Sequence, residues 1–288
     1  MKSPISPTDL ILTGTGSVYH LNLLPEHVSD NIIAVGDPDR VGEVSKYFDE
    51  ITFKRVQREF ITHVGRYRGK QVTVISSGIG TDNIEILLIE LDALANVDLQ
   101  NREVKPWHRK LRIVRIGTSG SLQEDVPVGT HLASAYGVGF DNLMQFYSLT
   151  HTPTETDLAE EIQRQAGLPF RPYVVEGSIE LMAQIGFDMH RGNTITAPGF
   201  YAPQGRQVRV PIRFPALLQK LEQFEHPKTG LRLTNFEMET AAYYSLSRLL
   251  GHEALSVNAI IANRIRNEFS TNHHKIVDDL IRKVLDRL

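Results

Sequence analysis

No cysteine occurs among the 288 residues, which excludes disulfides, thiolate nucleophiles and zinc–thiolate centres together and suits a reducing compartment. Neither sign of charge dominates. Lys and Arg number 31 against 34 Asp and Glu, a net charge of −3, so there is no basic field to hold nucleic acid. Long hydrophobic runs are missing too, none approaching the roughly 18 apolar residues of a membrane helix, and Met1-Lys2-Ser3-Pro4-Ile5-Ser6-Pro7 has no apolar core of signal-peptide length. Gly14-Thr15-Gly16 falls short of the dinucleotide fingerprint, no Walker A sequence occurs, and Ser76-Ser77-Gly78 is not a nucleophile elbow. The 11 histidines, His273 and His274 among them, show no His-Glu-x-x-His or similar spacing, so no metal site is expected. These absences lead to the expectation of a cytoplasmic protein with neither nucleic-acid nor membrane partners.

With 41% apolar and 23% charged residues, the chain can bury a real core. Short β-rich runs alternate with helical patterns, which predicts an α/β fold with a largely central sheet. Strands are predicted over residues 31–35, 60–68, 71–76, 111–116, 130–136, 193–197, 231–234 and 254–262, and the turn Arg68-Gly69-Lys70 makes a hairpin of the second and third. Helices are predicted over 40–47, 82–95, 155–166, 238–250 and 274–288. The second carries Ile84, Leu87, Leu88, Leu91 and Leu94 at helical spacing, and the fourth stops at Gly251. Residues 96–110 read as a polar surface insertion. No repeat or composition break divides the sequence, so residues 1–288 are expected to form one domain.

Two segments set an arginine beside a glycine-bearing turn at the end of an apolar run. Ile32-Ile33-Ala34-Val35 leads into Gly36-Asp37-Pro38-Asp39-Arg40, and Ile113-Val114-Arg115-Ile116 leads into Gly117-Thr118-Ser119-Gly120. Glycines at strand ends free backbone N–H groups to face a ligand, and arginine brings a permanently charged fork for oxyanions. Phosphate is the anion such a pair suits best. The alternatives are an ordinary Asp-Pro-Asp turn for the first and a structural ion pair for Arg115, which must find an anionic partner if buried. Arg58-Glu59-Phe60 is read as opening a strand, with a solvated charge pair.

Phe200-Tyr201-Ala202-Pro203-Gln204-Gly205-Arg206 places an amide and a guanidinium one glycine apart. An amide both gives and accepts a hydrogen bond while a guanidinium only donates, which suits the N3–H and carbonyl edge of uracil, with Phe200 to stack on the ring. A polar surface loop would have the same composition. In Asn235-Phe236-Glu237-Met238-Glu239, at a strand-to-helix junction, a carboxylate can accept two hydrogen bonds from neighbouring sugar hydroxyls. Alternatively, Glu237 and Glu239 complement the helix dipole.

Taken in order, these segments resemble the nucleoside phosphorylase family, in its uridine phosphorylase branch, from about His20 to Arg264. Ser76-Ser77-Gly78-Ile79-Gly80 through Glu90-Leu91 follows the branch's signature spacing, with Asp82 and Asn83 where the family has proline or alanine, then serine. The resemblance implies a single-domain α/β fold with a central mixed β-sheet flanked by helices. It also implies phosphorolysis of uridine or a related pyrimidine nucleoside, with phosphate as co-substrate and no required cofactor. Gly36, Arg40, Arg115 and Thr118 would then bind phosphate, joined by Arg58 from the neighbouring subunit of a homodimer or higher homo-oligomer. His20 would reach the partner's ribose 5′-hydroxyl, Met238 and Glu239 would hold the ribose, and Phe200, Gln204, Arg206 and Arg264 the base. Arg115, Gln204, Arg206 and Glu239 would carry the catalysis.

Purine-specific relatives place an aspartate near residues 261–265 to protonate the base, and none occurs from Val257 to Asn272. A monovalent cation held by some bacterial members would find Glu59 and Ile79 here, but Asn83 in place of the serine. Competing readings are a nucleosidase of the same fold, a purine nucleoside phosphorylase and a non-catalytic nucleoside-binding protein. Residues 96–110 and 170–185 have no place on the family's pattern.

Overall fold

The computed structural model describes residues 4–288, so the first three residues of the N-terminal segment discussed above lie outside the described residues. The chain builds two compact units, one of residues up to Arg115 with Leu246–Glu253, the other of Ile116–Ser245 with Ala254–Leu288. Among the described residues no helix is long and apolar enough to cross a membrane.

The first unit holds β1 (Asn31–Val35), α1 (Asp39–Ser45), β2 (Glu50–Gln57), β3 (Phe60–Tyr67), β4 (Lys70–Ser76), α2 (Thr81–Asn96), β5 (Val97–Asp98), β6 (Glu103–Val104) and the start of β7 (Arg112–Ser121). Its strands run in the order β7-β1-β4-β3-β2. β1 lies parallel to β4, from Asn31 opposite Val72 to Val35 opposite Ser76. Ile32 through Val35 are all buried, as an apolar run in an interior parallel strand requires. The hairpin from β3 to β4 turns on Arg68 and Gly69, both at positive φ (48° and 78°), the backbone that a two-residue turn matched to strand twist demands. In α2 the predicted stripe of Ile84, Leu87, Leu88, Leu91 and Leu94 is fully buried.

The second unit continues β7 and adds β8 (His131–Gly139), α3 (Pro153–Ala166), β9 (Tyr173–Glu176), α4 (Ile179–Gln184), β10 (His190–Thr196), α5 (Leu217–Glu222) and β11 (Asn235–Glu237). It also holds the opening of α6 (Thr240–Leu250), nearly all of β12 (Glu253–Asn263), β13 (Glu268–Phe269) and α7 (His273–Arg287). The order is β13-β12-β8-β10-β11-β7, with β9 alongside β8. A further pairing of β12 with β7 closes the strands from β7 to β12 into a ring. β8, β10 and β11 are parallel, while β12 is antiparallel to β8 and β7 to β11, a mixed sheet. Val138, Ile195 and Phe236 from the three parallel strands meet Leu158 and Ile162 of α3 and Leu217 and Leu221 of α5 in one apolar cluster.

Three local expectations are corrected. Residues 231–234 do not form a strand: Arg232 makes only an isolated bridge with Glu225, Leu231 and Leu233 pack into the core cluster, and the strand is β11. Residues 238 and 239 are not helical, because the Glu237 carboxylate accepts the N–H groups of Glu239 and Thr240 and starts α6 only at Thr240. Arg58 and Glu59 do not open a strand but make the turn between β2 and β3, with Arg58 at φ 53°. Residues 96–110 contain the small β5–β6 hairpin, its turn held by Asp98 accepting the Gln100 and Asn101 N–H groups at 3.0 and 3.1 Å. Residues 170–185 supply β9 and α4.

Candidate active site

In the first unit, Gly36 follows β1 and Arg40 lies in the first turn of α1. Asp37 accepts the Asp39 N–H at 3.0 Å, so the Asp-Pro-Asp segment does act as a turn, and that turn delivers Arg40. The Arg40 guanidinium is held below its ordinary pKa, by burial first; Asp37 opposes the shift and the charge of Arg115 adds to it. Arg115, on β7, is only 4% exposed. Two guanidinium groups in one partly desolvated neighbourhood repel each other, and an oxyanion bound there would ease that repulsion. Thr118 stands three residues further along β7, in the second unit and half-buried.

Arg58 and His20 form a separate group in the first unit. The Arg58 guanidinium lies over the Tyr19 ring, 5.6 Å from its centroid, and Tyr19 meets the His20 ring edge-on at 4.9 Å. Buried Glu90 of α2 anchors this segment: it accepts the His20 and Leu21 N–H groups at 3.0 and 2.9 Å and the His20 Nδ1–H at 2.6 Å. A carboxylate only accepts, so the neutral His20 ring carries its proton on Nδ1 and presents Nε2 as an acceptor.

The second unit gathers the residues expected to recognise the base. Gln204 is buried and Arg206 half-buried. Arg206 Nη1 donates to Gln204 Oε1 at 2.5 Å and to the Phe200 carbonyl at 2.6 Å. Its guanidinium sits 3.9 Å over the Phe200 ring, and burial, with Arg264 adding, lowers its pKa to about 10. Arg264 Nη1 donates to the Gln204 backbone carbonyl at 3.0 Å, and burial lowers the Arg264 pKa as well. Phe200, Gln204, Arg206 and Arg264 are thus one cluster. One face of Phe200 is taken by Arg206, and Tyr201 meets the same ring at 5.3 Å in a T-shaped contact. Gln204 keeps its NH2 group as a donor and a second lone pair on Oε1 as an acceptor.

The parallel strands β8, β10 and β11 end level, with Thr196 opposite both Gly139 and Glu237; strand ends of this kind are where α/β sheets take ligands. Of the two glutamates at this edge, Glu237 caps α6. Glu239 is buried beside half-buried Met238.

Of the residues that would hold a monovalent cation, Asn83 stands where the family has a serine and donates its Nδ2–H to the Ile79 carbonyl at 3.3 Å, and Glu59 and Asn83 both lie against Gly78. A cluster not visible in the sequence is Asp92, His108 and His252, whose ligand-type atoms lie within 4.8 Å of one another. The Leu111 N–H donates to His252 Nδ1 at 3.2 Å, which leaves the ring proton on Nε2, 3.2 Å from Asp92 Oδ1. A protonated nitrogen has no lone pair for a metal, so this is a carboxylate–imidazole approach within the first unit, between α2 and the turn that follows α6.

A mixed sheet flanked by helices, with these donors at its strand ends, is the architecture of the nucleoside phosphorylases. The chain belongs to the Phosphorylase superfamily, whose model matches residues 31–288. It is 29% identical over 257 residues to a uridine phosphorylase of Thermococcus kodakarensis, covering 89% of this chain and 81% of that one. Against a uridine phosphorylase of Escherichia coli it is 27% identical over 283 residues, covering 93% and 98%. A solved nucleoside phosphorylase of Trypanosoma brucei, described as showing uridine phosphorylase activity, matches with a TM-score of 0.90 at 29% identity, over 97% of this chain and 99% of that one.

Proposed function

We propose that the protein is a uridine phosphorylase, acting as one catalytic domain over residues 1–288, in the cytoplasm, as a homo-oligomer with shared sites. The observation that carries this reading is the Gln204–Arg206–Arg264 cluster against Phe200, an arrangement of donors and one acceptor that matches a pyrimidine edge. Gly36, Arg40, Arg115 and Thr118 bind phosphate, with Arg58 joining from a neighbouring subunit. Met238 and Glu239 hold the ribose, and His20 accepts the 5′-hydroxyl hydrogen of the nucleoside on a neighbouring subunit.

In the reaction the C1′–N1 bond of uridine breaks, its electron pair leaving with uracil, and a phosphate oxygen bonds to C1′ to give ribose 1-phosphate. Gln204 and Arg206 meet the negative charge that spreads onto the uracil oxygens, donors that preorganised sites turn into roughly 3–4 kcal/mol of barrier. The arginines hold phosphate in place, supplying proximity and charge balance. Release of base from uridine, thymidine and inosine, each with and without phosphate, tests the reading. Phosphate-dependent release from the pyrimidine nucleosides alone is expected. Release without phosphate marks a nucleosidase, and preference for inosine a purine enzyme.

A further inference from the structure

Helix α6 begins at Thr240, directly after the residues proposed to hold the ribose. The first N–H groups of a helix have no partner within it, and here two side chains from neighbouring strands take them. Glu237, the last residue of β11, accepts the Glu239 N–H at 2.9 Å on Oε2 and the Thr240 N–H at 3.0 and 2.9 Å on its two oxygens. Thr196, the last residue of β10, accepts the Ala241 N–H at 2.8 Å. It gives its own hydroxyl hydrogen to Glu237 Oε1 at 2.7 Å. The two residues are cross-strand partners, 0% and 5% exposed. One hydroxyl therefore fixes the carboxylate that fixes the backbone N–H of Glu239.

We infer that Thr196 is a positioning residue for Glu239, its hydroxyl acting through Glu237 to set the angle at which the Glu239 carboxylate meets the ribose 2′- and 3′-hydroxyls. The inference rests on the phosphorolysis reading. Threonine supplies both things the position uses: a hydroxyl that gives one hydrogen bond while accepting another, and a β-branched frame stiff at χ1. Valine keeps the shape and loses both bonds.

The test compares uridine with 2′-deoxyuridine, which lacks one of the hydroxyls Glu239 would grip. Thr196→Val is expected to lower kcat/KM for uridine by about tenfold to a hundredfold, as displacement of a positioned group does. The loss on 2′-deoxyuridine is expected to be much smaller, so the ratio between the two substrates narrows. Glu237→Gln, which swaps one acceptor oxygen for a donor, is expected to narrow the ratio in the same direction, and Thr196→Ser, which keeps both hydrogen bonds without the β-branched frame, to recover most of it. Equal losses on both substrates, or none, in folded protein would overturn the inference. Should Thr196→Val fail to fold, an unmoved ratio in Glu237→Gln overturns it alone. A wild-type protein that releases no uracil from uridine with phosphate sinks the phosphorolysis reading and this inference with it. An active wild type with an unmoved ratio in the variants sinks the positioning role only.

Discussion

Arg206 meets three demands at once. It covers the Phe200 ring, donates to the Phe200 carbonyl and donates to Gln204 Oε1, and with its pKa lowered to about 10 by burial it stays charged at neutral pH. A planar fork on a stacked face can do this; an ammonium, a hydrated point charge, cannot. Arg206→Lys is therefore expected to lower kcat for uridine by about 10²-fold, the usual loss for one preorganised donor. Gln204→Ala is expected to fall similarly, and urea unfolding of both is expected to stay within about 1 kcal/mol of wild type. Turnover untouched in both variants would remove the pocket. The Gln-Gly-Arg spacing made this pair legible in the sequence. What spacing did not convey was that the guanidinium would lie on Phe200. Nor could it separate Glu237 from Glu239, because two glutamates at a helix start look alike until one is seen to accept the N–H groups.

At the scale of elements, α3 is set by its first turn. Thr152 accepts the Glu155 N–H at 3.2 Å, and Glu155 returns a carboxylate to the Thr152 N–H at 2.8 Å while also accepting the Glu176 N–H of β9 at 2.8 Å. Thr152→Ala is expected to cost about 1 kcal/mol of stability, as loss of an N-cap does. Glu155→Ala, which removes this buried carboxylate and leaves the two N–H groups without it as acceptor, is expected to cost up to about 3 kcal/mol. Urea unfolding reads both, and kcat is expected to stay at the wild-type value, since α3 carries none of the proposed ligands. Elements were legible where burial imposes a period: β1 is buried along its apolar run and α2 along one stripe. β2 is an edge strand with little apolar burial to mark it, Val56 being 70% exposed and Phe53 only half-buried against His27. α4 and β11 are too short to show a period, and β11 buries Asn235 and Glu237 through hydrogen bonds in place of apolar contact.

The largest scale bears on Arg58 and His20. The two share Tyr19 as a common neighbour, Arg58 above its ring and His20 at its edge. Arg58 is held at a positive φ on a two-residue turn, a strained backbone that costs of order 1–3 kcal/mol and is kept where its aim is used. An exposed arginine and a histidine with its acceptor nitrogen free, fixed side by side on a rigid hairpin and a buried glutamate, suit delivery to another protomer's ligand. Mixing separately purified Arg58→Ala and Arg206→Ala proteins tests this. If each site draws Arg58 from one subunit and Arg206 from the other, every hybrid dimer contains one intact site. About a quarter of wild-type activity should then return at full exchange of a two-fold dimer, from two nearly inactive parents. Mixed dimers verified by mass spectrometry that show no recovery would place Arg58 in its own subunit's site, where a hybrid of these two variants contains no complete set.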